Sequence, residues 1–211
     1  MTTSVTAFRS EFSEKVLSFV WGQWCRVGVA GSAPPEGRWV IDPEPLLAFT
    51  TEMARRDARL FDQVLDWLVT NGRWINTQRL ATIVKEDKIG DPAVMGAIAF
   101  WMSDQEKSMK WRGLARRAVR DEQKHKEALF TAQPKGIARP DGQPEPHFER
   151  YGLLRGPIHN RGMTHVVNMK DPRNVMFKSR AVFGIGIRAD VMAHLVTTAG
   201  GHARRIAEIL G

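Results

Sequence analysis

The sequence predicts a mainly α-helical protein, and three features of its pattern support this prediction. Apolar side chains recur at spacings of three and four residues through most of the first two-thirds of the chain, as they do on one face of a helix. Two Asp-Pro pairs, at residues 42–43 and 91–92, combine a capping side chain with an imide that needs no hydrogen bond in a first helical turn. Glycine-containing breaks such as Asn71-Gly72 separate the helical segments.

The first two helices lie on either side of a loop. The first is predicted from about Ala7 to Val27, with an apolar stripe that consists of Phe8, Phe12, Val16, Phe19 and Val20. Two prolines and several small residues indicate the loop from Gly28 to Gly37. The second helix is predicted to begin at Asp42, whose carboxylate would accept from the free amides of the first turn. Its inner face carries Leu46, Leu47 and Phe49.

Four more helices are predicted before residue 130. The third has an apolar stripe that consists of Leu60, Phe61, Val64, Leu65 and Leu68. Asn76 is expected to cap a short fourth helix, and Asp91 is expected to cap the fifth. The fifth helix is apolar on nearly all sides, so we expect it to be the central helix of the core. The sixth is amphipathic and is predicted from Glu106 to Leu129.

The pattern divides the chain into three regions. Residues 1–130 are predicted to form a helical domain. Residues 131–173 are rich in proline and glycine, which indicates either a linker or an irregular segment that crosses and packs on the helices. Residues 174–211 return to helical patterns and are predicted to form a partial helix-turn-helix domain. Its last two helices are expected from Asp190 to about Thr198 and from His202 to Leu210.

Composition and charge limit the classes of protein and partner. The 211 residues are 43% apolar, which is enough for a hydrophobic core, and the single cysteine cannot form an internal disulfide. The longest apolar run, from Ala93 to Met102, is too short to cross a bilayer, and the N-terminus lacks the apolar stretch of a signal peptide. We therefore expect a cytoplasmic protein without membrane contact. A formal charge of +8 favours an anionic partner, of which nucleic acid is the commonest.

The most specific pattern lies at the C-terminus. It reads Ala203-x-x-Ile206-Ala207-x-x-Leu210-Gly211. This pattern resembles the first two helices of a bacterial winged helix-turn-helix domain. The small Ala207 would let a following helix cross closely, and Gly211 can adopt the positive φ of a tight turn. By the same resemblance, Arg188-Ala189-Asp190 begins the first of the two helices, with Asp190 as its cap.

The resemblance implies a transcriptional regulator that binds DNA, in which the helical domain serves dimerisation or sensing. A homodimer is therefore a possible assembly. In winged-helix domains the next helix reads the bases, and the sequence ends before such a helix. We therefore expect contacts mainly with the DNA backbone, which position a protein without specifying a sequence. The expected phosphate contacts come from Arg188, His202, Arg204, Arg205, Arg180 and Lys178.

A secondary basic stripe lies on the predicted sixth helix. Four cations recur there every four residues: Arg112, Arg116, Arg120 and Lys124. A stripe of this kind can contact phosphates and release counterions from DNA. It can equally be a solvated helix face, partly neutralised by Asp121 and Glu122.

Two other functions stay open on the sequence alone. The many aromatic residues and the missing base-reading helix would suit a helical protein-interaction or oligomerisation module that does not bind nucleic acid. Gly31-Ser32 with Asp42 and Glu44 is similar to the phosphate turn and paired acids of nucleotidyltransferases, although Pro43 argues against a strand there. No histidine pair has metal-ligand spacing, so we predict neither a metal nor a cofactor, and no catalytic residue.

Overall fold

A computed structural model describes residues 4–31, 39–106, 109–118, 126–131 and 143–210. These residues are mainly helical, so the predicted fold class is confirmed. The α-helices are α1 Val5–Arg26, α2 Pro43–Met53, α3 Ala58–Asn71, α4 Thr77–Thr82, α5 Pro92–Gln105, α6 Met109–Ala118, α7 Pro146–Glu149, α8 Val175–Phe183, α9 Ile187–Thr197 and α10 Ala203–Leu210. Two short strands, β1 Glu127–Ala128 and β2 Leu153–Leu154, pair in parallel.

Among the three capping residues predicted in the helical domain, two cap the helix that follows them. The Asn76 side chain accepts from the amides of the first turn of α4, and the Asp91 carboxylate does the same for α5. Asp42 does precede α2, but its side chain does not cap the helix. The reason is competition, because both Asp42 carboxylate oxygens accept from Arg79 at 2.6 Å, and a charged bidentate donor is stronger than a backbone amide.

The core is centred on α3 and α5. Residues 94–99 and 101–103 of α5 are buried, which confirms its predicted central position. Trp24 of α1 and Trp67 of α3 meet edge to face at 5.0 Å between ring centroids. Each indole N–H is satisfied inside the core: Trp24 donates to the Thr50 hydroxyl and Trp67 to the Val27 carbonyl, both at 2.8 Å. Buried indoles usually need such a partner, and here the two donors fix α1 against α2 and α3.

The described part of the proline- and glycine-rich region is a packed crossing segment, the second of the two forms expected for it. Phe148 and Tyr151 are buried in the same core as the helices. Further along, the buried carboxylate of Asp66 on α3 accepts from three successive backbone amides, those of Gly162, Met163 and Thr164, at 2.9–3.1 Å. A carboxylate that accepts hydrogen bonds from three amides holds an irregular loop in one conformation, which explains how this segment packs without regular secondary structure.

The predicted sixth helix is wrong at its C-terminal end. The helix ends at Ala118 in the described residues, and residues 127–128 are extended instead. Backbone pairing explains the difference, because Glu127 N–H donates to the Gly152 carbonyl at 2.8 Å and Leu129 N–H to the Leu154 carbonyl at 2.9 Å. Glu127 and Leu129, near the predicted end of the helix, are thus held by the crossing segment.

Hydrophobic contacts cross the boundary predicted at residue 173. Phe177 of α8 is fully buried and meets Trp67 at 6.3 Å between ring centroids. Helix α8 therefore packs on the core of the helical region, whereas α9 and α10 have long exposed stretches. None of the helices in the described ranges has both the length and the apolar character needed to cross a bilayer.

Candidate nucleic-acid interface

Two consecutive helices, α9 and α10, occupy the region of the C-terminal pattern. The turn between them contains Gly200, whose φ of +111° lies in the region that favours glycine. At Gly201, an added Cβ would lie 2.9 Å from Cγ1 of Ile206, so the turn approaches α10 closely. Glycine at these two positions therefore allows the chain to reverse and lets α10 sit against the end of α9.

The predicted cap of α9 is wrong. The helix begins at Ile187, directly after Gly186, so Asp190 lies within the first turn instead of before it. The Asp190 side chain is buried and accepts from Nη2 of Arg180 at 3.1 Å. This carboxylate therefore fixes the position of α9 relative to α8 and has no capping role.

Arg180 was expected to contact phosphate, and the structure corrects this prediction. Its side chain is fully buried, and its two terminal nitrogens donate to the two carboxylate oxygens of Glu44 at 2.7 Å. Nη1 also donates to the Trp74 carbonyl at 2.7 Å. A buried guanidinium with these partners cannot reach a DNA backbone, so Arg180 is a structural residue.

Arg180 belongs to a buried ion-pair network that joins four elements. Glu44 at the start of α2 also accepts from Nη1 of Arg79 on α4 at 2.9 Å and from the Asn76 amide at 2.7 Å. Burial by itself would lower the pKa of Arg180, but Glu44 and Asp190 outweigh it and raise that pKa. The guanidinium is therefore charged at every accessible pH, and the network attaches α8 and α9 to the helical body.

The other expected phosphate contacts lie at the surface. Arg188, His202, Arg204 and Arg205 are exposed, and Lys178 is half-buried on α8. Nε of Arg204 donates to Glu208 at 3.3 Å, an exposed pair one turn apart that contributes little stability. Lys178, Arg188 and the pair Arg204 and Arg205 lie on α8, α9 and α10, and His202 directly precedes α10, so this region carries accessible basic side chains.

Apolar side chains are exposed on the same elements. Val182 and Val196 are 75% and 61% exposed, and five further large apolar side chains on this part of the chain are also exposed. They are Phe183, Ile185, Ile187, Met192 and Leu195. An exposed apolar patch of this kind marks a surface that packs against something else. The region therefore combines cations with an unpartnered apolar face.

The secondary basic stripe is only partly visible. Arg112 and Arg116 are exposed one turn apart on α6, while Arg120 and Lys124 lie outside the described residues. Arg112 and Arg116 line a cavity together with Arg150 and Tyr151, two residues from the region read as linker or crossing segment. Sequence reasoning missed both, because only folding brings α7 and its C-terminal flank beside α6.

The acids proposed for a nucleotidyltransferase are engaged elsewhere. The Asp42 carboxylate is held by Arg79, and the Glu44 carboxylate is shared between Arg79 and Arg180. A metal would have to displace these guanidinium groups, so the two acids do not form an open divalent-cation pair. Within the described ranges, no group of three or more His, Cys, Asp or Glu residues is arranged to hold a metal.

No family model, curated protein or solved structure matches this chain.

Proposed function

We propose that this protein is a DNA-binding regulator-like protein that contacts duplex DNA mainly through the phosphate backbone. The helices α9 and α10 and the end of α8 supply the contact surface, and the helical body supplies dimerisation or sensing. The role is binding and not catalysis, in the cytoplasm, with no cofactor.

One observation carries this proposal: exposed cations lie on α9 and α10, where a buried ion pair attaches α9 to the body and α10 packs on α9. Arg188, Arg204 and Arg205 are exposed, whereas Arg180 of α8 and Asp190 of α9 are buried and paired. Phosphate binding needs accessible positive charge held in a defined place, since a mobile cation loses more entropy when it binds. The buried pair fixes the position of α9 relative to the body, and the exposed arginines provide the positive charge.

The direct test is binding of the full chain to a fluorescently labelled duplex over a range of salt concentrations. Binding through phosphates predicts a linear fall of log K with log salt, because each neutralised phosphate releases counterions. Duplexes of different sequence should bind with similar affinity, since backbone contacts carry no base information. No detectable binding at low salt would refute the proposal.

A second function has a specific observation in its favour. Helix α1 exposes three phenylalanines, Phe8, Phe12 and Phe19, and the rings of Phe8 and Phe12 stack at 6.1 Å between centroids. These three residues belong to the predicted apolar stripe, in which Val16 and Val20 pack on the core and the phenylalanines do not. An exposed amphipathic stripe of this kind suits a helix that packs on a partner, including a second copy of the chain.

Sedimentation of the full chain separates the two functions. If the chain is chiefly an interaction module, it forms an oligomer at every salt concentration and does not bind DNA. The double variant Phe8→Glu with Phe12→Glu should then dissociate that oligomer. If DNA binding is the function, the same double variant still binds the duplex at low salt. Arg9→Gln, on the same exposed helix, serves as the matched control.

A further inference from the structure

A cavity of about 350 Å³ lies between α5, α6 and the residues that follow α7. The residues that line it include three arginines and two aromatic residues: Arg112, Arg116, Arg150, Phe100 and Tyr151. Ligand cavities in proteins have volumes of roughly 300–1,000 Å³, so this one can accept a small molecule. A duplex is too broad to enter such a hollow and could only lie across it.

The cavity has an excess of positive charge. Arg112 and Arg116 are like charges at i and i+4 on one helix, an arrangement that destabilises a helix. Asp104 is the carboxylate among the lining residues, and His147 Nε2 lies 2.9 Å from its Oδ2. Among the described lining residues, three arginines therefore accompany one carboxylate that already has a partner, and an anion in the cavity would relieve the repulsion between the arginines.

The walls are held by contacts that do not use the cationic groups of α6. The Tyr151 hydroxyl donates to the Ala115 carbonyl at 3.1 Å, which fixes the end of α7 against α6. The Arg150 guanidinium lies 4.8 Å from the centroid of the Phe100 ring. A cation–π contact leaves the guanidinium N–H groups free to donate sideways, so Arg150 is oriented without losing its donors.

We propose that this cavity binds the phosphate group of a small organic phosphate. Arginine is suited to this task because its planar fork matches the oxygens of a phosphate and stays charged at all relevant pH values. The phosphate would lie between Arg112, Arg116 and Arg150, and the organic portion would lie against the Tyr151 side of the wall. This site is separate from α9 and α10, so it stands or falls independently of DNA binding.

The test is calorimetric titration of the full chain with inorganic pyrophosphate and with ADP at fixed ionic strength. Both probes should bind, and ADP should bind at least as tightly as pyrophosphate because its organic portion gains contact with the aromatic wall. Arg116→Gln and Arg150→Gln should each weaken binding about tenfold or more, as loss of a charge-assisted contact does. Arg161→Gln, which removes an exposed arginine from the loop held by Asp66, is the matched control and should change nothing.

Three outcomes would overturn the site. They are no heat with either probe, equal weakening in the Arg161→Gln control, or exclusion of ADP where pyrophosphate binds. Arg116 makes no hydrogen bond or ion pair with another described residue, so Arg116→Gln should stay folded even if Arg150→Gln does not. A duplex-binding measurement on Arg116→Gln completes the test. Unchanged DNA affinity in this variant supports a small-molecule site. If the variant loses DNA affinity and the unchanged protein does not bind pyrophosphate, the arginines belong to a DNA surface instead.

Discussion

Arg180 and Glu44 form a bidentate ion pair across 136 residues of sequence, with both N–O distances at 2.7 Å and both side chains fully buried. The pair joins α8 to the start of α2, and Asp190 extends it to α9. A buried ion pair is not strongly stabilising compared with apolar residues, but breaking it leaves one charge uncompensated. Its main consequence is positional, because it fixes where the C-terminal helices leave the body.

Arg180→Met should therefore destabilise the fold by about 3–5 kcal/mol, since it leaves Glu44 buried with less compensation. The measurement is urea unfolding followed by tryptophan fluorescence. The double variant Arg180→Met with Glu44→Leu should be more stable than Arg180→Met alone, because it removes both buried charges of the pair. Equal stability of the single and double variants would contradict this account of the network.

Asp66 should be essential for the loop that contains residues 162–164. Asp66→Ala removes the acceptor of three backbone amides and should cost about 1.5–3 kcal/mol, the range for losing a hydrogen bond to a charged group. Trypsin should then cleave after Arg161 faster than in the unchanged protein. Asp62→Ala is a useful comparison: its carboxylate accepts from Arg155 instead of from the loop amides, so the rate after Arg161 should not change.

His147 should make stability depend on pH. Burial lowers the pKa of His147, but contacts with Asp104 and Glu145 outweigh it and raise that pKa above its ordinary value. A raised folded-state pKa adds stability that is fully present below the unfolded-state pKa and disappears as pH rises through the folded-state pKa. His147→Gln should therefore destabilise the protein at about pH 5 and have little effect at about pH 9.

Thermal unfolding of the His147→Gln variant at the two pH values checks this prediction. His159→Gln, which alters an exposed loop histidine, is the control and should unfold like the unchanged protein at both. A loss of stability in His147→Gln that is the same at both pH values would mean that packing against Phe100, 5.0 Å away between ring centroids, matters more than charge.

Replacing each of two glycines by alanine should change the free energy of unfolding in opposite directions. Gly90 has a φ of +94°, and an added Cβ would lie 2.5 Å from the Ala48 carbonyl oxygen, so Gly90→Ala should cost about 2 kcal/mol or more. Gly113 lies inside α6, and apart from the backbone of its own helix no described atom lies within 4 Å of an added Cβ, so Gly113→Ala should stabilise by about 0.5–1 kcal/mol. Urea midpoints that move in the same direction for both would contradict the geometry.

The sequence-based predictions succeeded where local rules decide the structure. The capping residues Asn76 and Asp91 and the nearly continuous apolar sequence of α5 depend on neighbours within one helix, and they were predicted correctly. Arg180 failed because a basic residue near a basic terminus looks exposed until its buried partner, Glu44, is known. The cavity wall at Arg150 and Tyr151 was missed for the same reason. The positions of these residues depend on contacts with elements far away in sequence, which periodicity does not encode.

The central proposal, DNA-backbone contact through α10, is tested most directly by one comparison of salt slopes. The affinity for one duplex is measured over a range of salt for the unchanged protein, for Arg204→Gln with Arg205→Gln, and for the matched pair Arg9→Gln with Lys85→Gln. We predict that the α10 pair weakens binding and reduces the slope of log K against log salt by roughly two, about one for each lost phosphate contact, while the matched pair leaves the slope unchanged. Identical slopes for the two double variants would contradict the proposal.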